Sequence, residues 1–377
     1  MEKFIKVSFI IVFFSIILVI GVGTLFNNNR VSDLEKRNLT TYPEINKKSI
    51  LSDKFYSDLT TAHSDQLQFR KYLVKGYFLF QFQRYYGDVV KGSDNQLYSS
   101  SMRNLDDEYY KELSKTIDRL NEETKKISAK FIFLSIPRKD AYMRKELPKN
   151  YNSSYESYKK QVETVKDSLD DNIIFIDAYD VFSKSGIYNC YYSNDHHITP
   201  RCAYTLYSEI NKYTGVTSYN LDDEFYVNKV ILNGAFSRQL GQSVRGKMED
   251  LYLTSKKKIN YTRYEDGVLS KKKVYGKGND YESAYMEGDN AYTVIDTDVK
   301  NGKRIMFVGS SFTNILEALA VPSYEKVVSV DYRHNKTGNS IEHYVEENNI
   351  DYVVFIPSQS NNAFQISRIL EHLGLSK

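Results

Sequence analysis

The feature that most constrains the fold is a set of short, uninterrupted apolar runs separated by helical patterns. Phe131-Ile132-Phe133-Leu134, Ile173-Ile174-Phe175-Ile176, Ile305-Met306-Phe307-Val308, Val327-Val328-Ser329-Val330 and Tyr352-Val353-Val354-Phe355-Ile356 are strand-sized and show no regular polar alternation. Such runs suit strands buried on both faces, the signature of a parallel sheet between two helical layers. The intervening segments supply the helices. Leu113, Ile117 and Leu120 recur at three- and four-residue spacing within 104–127, and further helices are expected near 155–168, 341–348 and 364–373. The expected fold class is therefore α/β, and ligands of such sheets bind beyond the carboxyl ends of the strands.

The N-terminus sets the compartment. Residues 7–26 carry no charge, and a run of about twenty apolar residues is long enough to cross a bilayer as one helix. Lys3 and Lys6 precede it and only Arg30 follows closely, which favours a cytoplasmic N-terminus and an extracytoplasmic remainder. A cleaved signal peptide is the competing reading, because Gly21-Val22-Gly23 offers small residues; the run exceeds the ~7 to 15 residue core of such peptides. Beyond it, 27–48 is polar and aperiodic, as suits a tether. Helical signals follow at 51–61 and 69–85, where Tyr72, Leu73, Phe80 and Phe82 crowd apolar positions.

The net charge of +3 is dispersed, so no basic stripe marks the chain for nucleic acid. Lys256-Lys257-Lys258 and Lys271-Lys272-Lys273 lie in a Tyr- and Lys-rich stretch, 249–298, that reads as turns and hairpins inserted into the α/β core. Short charge runs of this kind usually solvate a surface.

Two segments carry chemistry. Asn194-Asp195-His196-His197-Ile198-Thr199-Pro200 precedes a helix start, with Thr199 placed to cap it and Ala203, Leu206, Tyr207 and Ile210 as its buried stripe. One residue separates Asp195 from His197, so an extended backbone would turn both side chains to one side. Asp195 could then hold one ring nitrogen while the other accepts a proton from a hydroxyl. An Asx turn followed by incidental histidines is the alternative. Cys190 and Cys202 bracket this loop; they could form a disulfide worth roughly 3 kcal/mol, or remain two thiols. The second segment, Val308-Gly309-Ser310-Ser311-Phe312, ends an apolar strand and opens a helix through Ile315, Leu316 and Leu319. Ser311 there is either a nucleophile beside the positive helix end or a helix cap.

These segments, together with Glu35-Lys36-Arg37-Asn38-Leu39 before Pro43, His63-Ser64-Asp65 before Phe69-Arg70, Gly92 with Leu97-Tyr98, and Ile136-Pro137-Arg138-Lys139, occur in a fixed order. In that order the chain resembles the SGNH-hydrolase-like proteins of bacterial polysaccharide O-acetylation. The likeness is to the alginate O-acetyltransferase type and especially to the Gram-positive DHHW family, over most of the chain after the apolar run. It implies an SGNH-like parallel sheet flanked by helices, Asp195 and His197 as the Asp-x-His pair, and Ser311 as nucleophile of the Gly-x-Ser-Phe turn. It implies no cofactor or metal, a polysaccharide hydroxyl as acceptor, and a membrane-bound O-acyltransferase that exports the acetyl group. Ile198 stands where the family has Trp, a change that could alter a sugar contact, and Ser310 where Asp is frequent.

On this reading 1–26 is a transmembrane signal anchor, 27–100 a tether with an N-terminal helical segment, and 101–377 the catalytic domain with a β-rich insertion at about 249–300. Tyr332 and Arg333, just past a strand end, are candidate substrate-binding residues, against an ion-pair or packing role for Arg333. Three other activities remain open from the residues. An esterase would use the same three side chains with water as acceptor. A metal-dependent phosphoesterase of the Asp-His-His type would need an upstream Asp cluster, for which Asp177 and Asp180 are the nearest substitutes. A non-catalytic polysaccharide-binding protein would draw on the 33 tyrosines.

Overall fold

The computed structural model describes residues 2–32, 37–46, 49–83, 88–100, 105–241, 244, 246–335, 337–357 and 363–372. Glu35, Lys36, Lys48, Tyr85, Asn104 and Leu373, which figure in the expectations above, lie outside the described residues, as does residue 101. Two compact units emerge, one of residues 1–89 with 237–244, the other of 90–236 with 245–377.

The larger unit is built on one eight-stranded sheet. Its strands are β1 (Lys130–Ser135), β2 (Ile174–Asp177), β3 (Tyr261–Glu265), β4 (Val268–Leu269), β5 (Tyr292–Thr297), β6 (Arg304–Gly309), β7 (Lys326–Asp331) and β8 (Tyr352–Phe355). In space they run β4-β3-β5-β7-β6-β8-β1-β2. The five strands from β7 to β2 are parallel. These are the apolar runs of the sequence.

Their continuous apolarity has a direct cause. Ile132, Leu134, Ile305, Phe307, Val327 and Val354 point into one hydrophobic cluster. Their neighbours Phe131, Phe133, Met306, Val308, Val328 and Val353 point into another. Because successive side chains leave opposite faces of a strand, both faces must be covered. Helices Pro200–Thr214 and Thr313–Ala320 cover the first face with Ala203, Leu206, Ile210, Ile315 and Leu319. Helices Asp107–Thr124 and Ile341–Asn348 cover the second with Leu113, Ile117, Leu120, Ile341 and Val345.

The stretch 249–298 is rich in strand, and it enlarges the sheet rather than standing apart from it. β5 runs antiparallel to β7, and β3 pairs antiparallel to β5 and, across a turn at Asp266-Gly267, to β4. β5 shows why: its burial alternates along the strand, the pattern of an antiparallel edge region with one wetter face. A separate ribbon pairs Phe225–Ile231 with Met248–Ser255.

The smaller unit holds helices Glu2–Phe26, Asp53–Asp65 and Arg70–Gln83. The first is apolar and long enough to cross a membrane, and 6% of its apolar window is buried by the rest of the chain. Two of the family-like motifs meet here: Arg37 donates twice to the buried Asp65 carboxylate, and the Thr40 amide donates to it as well. The Arg37 guanidinium, against the opposing effect of burial, holds the Asp65 carboxyl down at about 2.

Leu206 is fully buried between helix and sheet, so Leu206→Ala should lower unfolding free energy by about 2–5 kcal/mol in a denaturant titration. The largely exposed Lys212 on the same helix provides the contrast: Lys212→Ala should stay within about 0.5 kcal/mol of the parent.

Candidate active site

The loop that carries Asp195 and His197 is closed by an isolated bridge, Tyr191 to Ile198, and leads into the helix Pro200–Thr214. A Cys190–Cys202 disulfide closes its base, with the two Cα atoms 5.3 Å apart. The Thr199 amide donates to the Cys190 carbonyl at 2.8 Å. Thr199 does occupy the cap position before Pro200, yet its hydroxyl turns back toward the Asn189 carbonyl, 3.3 Å away, instead of capping the helix.

Within the loop the two readings of the sequence coincide. Asp195 Oδ1 accepts from the His197 backbone amide at 2.9 Å, which is an Asx turn, and also meets His197 Nδ1 at 2.7 Å. The turn, not an extended backbone, places the carboxylate against the ring. Asp195 Oδ2 accepts from the Ala235 amide at 2.6 Å. Both oxygens of this carboxylate are therefore engaged.

His197 Nε2 lies 2.9 Å from Ser311 Oγ, 114 residues along the chain. Ser311 follows β6 at its carboxyl end, two residues before the helix Thr313–Ala320. The tight strand-to-helix turn depends on Gly309, where a Cβ would fall 2.9 Å from both the Ile356 carbonyl oxygen and Thr313 Cγ2. Ser310 contributes otherwise: its carbonyl accepts from the Thr313 amide and hydroxyl. Asp195, His197 and Ser311 are all buried, the serine being 7% exposed. Burial alone would raise the Asp195 carboxyl, but the adjacent His197 and His196 rings and the hydrogen bonds from His197 and Ala235 hold it far below the carboxylate range.

Several neighbours escaped the sequence reading. Tyr281 stacks flat on the His197 ring, with centroids 3.8 Å apart and planes within 4°. Phe312 flanks the same ring at 4.9 Å, and His196 lies against it at 4.1 Å. No local pattern could reveal a stacking partner 84 residues away. Lys139 is the other omission. Its buried ammonium donates to the carbonyls of Leu97, Tyr192 and Ser193 at 2.8, 2.6 and 2.8 Å. Burial pulls its pKa down to about 7, while the Glu249, Asp195 and Glu146 carboxylates pull the other way. Glu249 accepts from the Ser193 amide and hydroxyl. Gly234 closes the cradle; a Cβ there would sit 2.2 Å from the Asn194 carbonyl oxygen. The Ile136-Pro137-Arg138-Lys139 motif pointed to this residue without revealing what it holds.

Three further residues named from the sequence have the following surroundings. Tyr332 is packed in the hydrophobic cluster with Ile341 and Tyr344, on the sheet face opposite the serine helix and away from Ser311. Arg333 donates to Asp331 and Asp289, and Asp289 accepts in turn from Asn314 on the serine helix. That makes it an ion-pair residue braced against the site. Ile198 is fully buried in the core, so the family's Trp position faces the protein interior here and not a sugar.

Asp195, His196 and His197 have ligand atoms within 4.8 Å of one another and could gather a cation. A cation that took Asp195 Oδ1 and His197 Nδ1 would displace the hydrogen bond these atoms share. The hydrogen bonds present instead match a carboxylate–imidazole–alcohol relay.

No protein-family model matches the sequence, nor does any curated protein. Solved structures do. A DHHW family protein from Eubacterium siraeum aligns with a TM-score of 0.58 at 18% identity, covering 74% of this chain and 94% of that one. Bacillus cereus PatB1 carrying a sulfonyl adduct aligns with a TM-score of 0.60 at 18% identity, over 74% of this chain and 99% of PatB1. A second PatB1 structure gives 0.54 at 16% identity, over 71% and 94%. The chain has the fold of these solved structures. The α/β architecture that the sequence implied is thus shared with those proteins, at an identity that speaks to fold alone.

Lys139→Met would remove the ammonium from three buried carbonyls, of which Ser193 and Tyr192 keep the weaker cover of the Leu97 and Asp195 amides. We expect a loss of about 1–3 kcal/mol in denaturant unfolding, whereas Lys258→Met on an exposed turn should change stability by less than about 0.5 kcal/mol.

Proposed function

We propose that the chain is an extracytoplasmic O-acetyltransferase that moves an acetyl group through Ser311 to hydroxyls of a cell-surface or secreted polysaccharide. The observation that carries this reading is the continuous Asp195–His197–Ser311 line of hydrogen bonds. With Nδ1–H donating to Asp195, Nε2 is left to accept the Ser311 proton.

In the first half-reaction Ser311 Oγ attacks the carbonyl carbon of an acetyl donor as its proton passes to His197 Nε2. The carbonyl oxygen takes up the charge, and when the tetrahedral adduct collapses, His197 returns the proton to the departing group. In the second, a sugar hydroxyl gives its proton to His197, attacks the acetyl-serine, and Ser311 leaves with the proton restored. Asp195 stays ionised and stabilises the imidazolium each time. Among the described residues, the backbone amides of Ser311 and Phe312 donate to no protein acceptor, and they lie at the start of a helix. Those amides are suited to receive the oxyanion.

The family resemblance favours acetyl transfer over hydrolysis, and supplies the donor: a membrane-bound O-acyltransferase that carries acetyl groups across the membrane. The helix Glu2–Phe26 would anchor the chain with its N-terminus in the cytoplasm, residues 27–100 would form the tether segment, and 101–377 the catalytic domain. The sulfonyl adduct on PatB1 accords with a reactive nucleophile in this fold.

Full-length protein given an activated acetyl ester should gain the mass of one acetyl group and pass it to an added oligosaccharide in preference to water. Both should vanish in Ser311→Ala and His197→Ala, while Asp195→Asn should slow turnover by roughly 10³–10⁴-fold. An undiminished acetyl gain in Ser311→Ala would refute the assignment. Release of acetate with no acceptor dependence would make the protein an esterase.

A further inference from the structure

The sequence of the helix Arg70–Gln83 is apolar on most sides, and several of its described apolar side chains are largely exposed. Tyr72, Leu73, Tyr77 and Phe80 are each more than half exposed, and Phe69 at its entrance is half exposed. Exposed apolar side chains gathered along one helix mark a surface that meets another apolar phase.

The place where this helix starts identifies that phase. Gln66 and Gln68, just ahead of it, are tied to the last turn of the N-terminal apolar helix and the residues after it. The Gln68 amide donates to Thr24 Oγ1 at 2.9 Å, and Asn27 Nδ2 donates to the Gln66 carbonyl at 2.8 Å and to Gln68 Oε1 at 3.0 Å. Gln66 and Asn29 exchange a further pair of bonds, at 2.8 and 2.9 Å. Gly23 permits the approach, with the Gln68 side chain 2.9 Å from where a Cβ would be. Thr24 to Asn29 is where an apolar span ending at Phe26 would leave the hydrocarbon. With Lys3–Phe26 spanning the bilayer, the second helix would begin at the depth of the lipid headgroups. Its residues suit that depth: tyrosines concentrate at membrane–water boundaries, phenylalanines and leucines bury on the apolar face of interfacial helices, and Lys71 and Lys75 add charge that favours anionic lipid.

We propose that Arg70–Gln83 is a second membrane contact, a helix resting in the headgroup boundary of the bilayer that the N-terminal helix enters. The proposal rests on the reading of Lys3–Phe26 as a membrane anchor. Two points of attachment would hold residues 1–89 against the membrane surface, where a single span would let them swing.

The test uses the full-length chain in vesicles of phosphatidylcholine with a minority of phosphatidylglycerol, some lipids carrying a quencher at headgroup depth and others one in the acyl chain. Cys190 and Cys202 are bonded to each other, so an introduced cysteine gives a unique labelling site. Fluorophores are attached in Tyr77→Cys, in Tyr72→Cys as a second probe of the helix, in Phe14→Cys within the anchor, and in Lys184→Cys at an exposed site of the larger unit. We expect the labels at 72 and 77 to lose most of their emission to the headgroup quencher, the label at 14 to the acyl-chain quencher, and the label at 184 to neither. Quenching at 14 with labels 72 and 77 behaving like 184 would overturn the inference and leave the anchor standing. Absence of quenching at all four positions would remove the anchor reading and the inference with it. Protection at 72 and 77 that appears only at high protein-to-lipid ratio would assign this face to a second copy of the chain and overturn the lipid assignment.

Discussion

The ionised carboxylate of Asp195, shut away from water, is the constraint around which the site is arranged. An isolated buried charge is costly, and this one persists because every oxygen it offers is used. Oδ1 takes the backbone and ring N–H groups of His197, and Oδ2 takes the Ala235 amide. The sign of the resulting shift has a consequence for stability. A carboxyl held below its ordinary pKa contributes stability that is fully present above the unfolded-state value and is lost as pH falls toward the folded-state value. Acid should therefore loosen the loop that positions His197.

Much of the surrounding structure keeps that loop from moving. The disulfide closes its base, Lys139 gathers the Tyr192 and Ser193 carbonyls, Glu249 grips Ser193, and Gly234 admits the Asn194 carbonyl. Tyr281 lies over the imidazole. The acyl transfer proposed for this site would need such rigidity, because a nucleophile and its base must be held within hydrogen-bond reach before substrate arrives. The sheet supplies the other half, since Ser311 emerges from the carboxyl end of its central region and is fixed by the serine helix packed on one face.

The parts of this arrangement that follow from short-range chemistry were readable in the sequence. Strands such as Ile305-Met306-Phe307-Val308 announce themselves because both neighbours of the sheet plane must be apolar. Asp195 and His197 are legible because two residues apart is a distance that backbone geometry controls. Ser311 is legible because a strand-to-helix turn limits where a hydroxyl can point. What sequence could not convey depends on contacts distant along the chain. The antiparallel edge formed by Tyr261–Glu265 and Tyr292–Thr297 looks like an independent hairpin region until its partner strand Lys326–Asp331 is known. Tyr332 follows a strand end as a site residue would, but the alternation of the strand sends it to the other face. Lys139 stands in the Ile136-Pro137-Arg138-Lys139 motif, but the carbonyls it holds come from residues distant along the chain.

The central claim is that Ser311 is a nucleophile because His197, oriented by Asp195, draws its proton. Treatment of the full-length protein with a sulfonyl fluoride, followed by peptide mapping, tests this most directly. The account predicts a single adduct on Ser311 that forms in the parent and fails to form in His197→Ala. An adduct on Ser310, or labelling of Ser311 at the parent rate without His197, would contradict it.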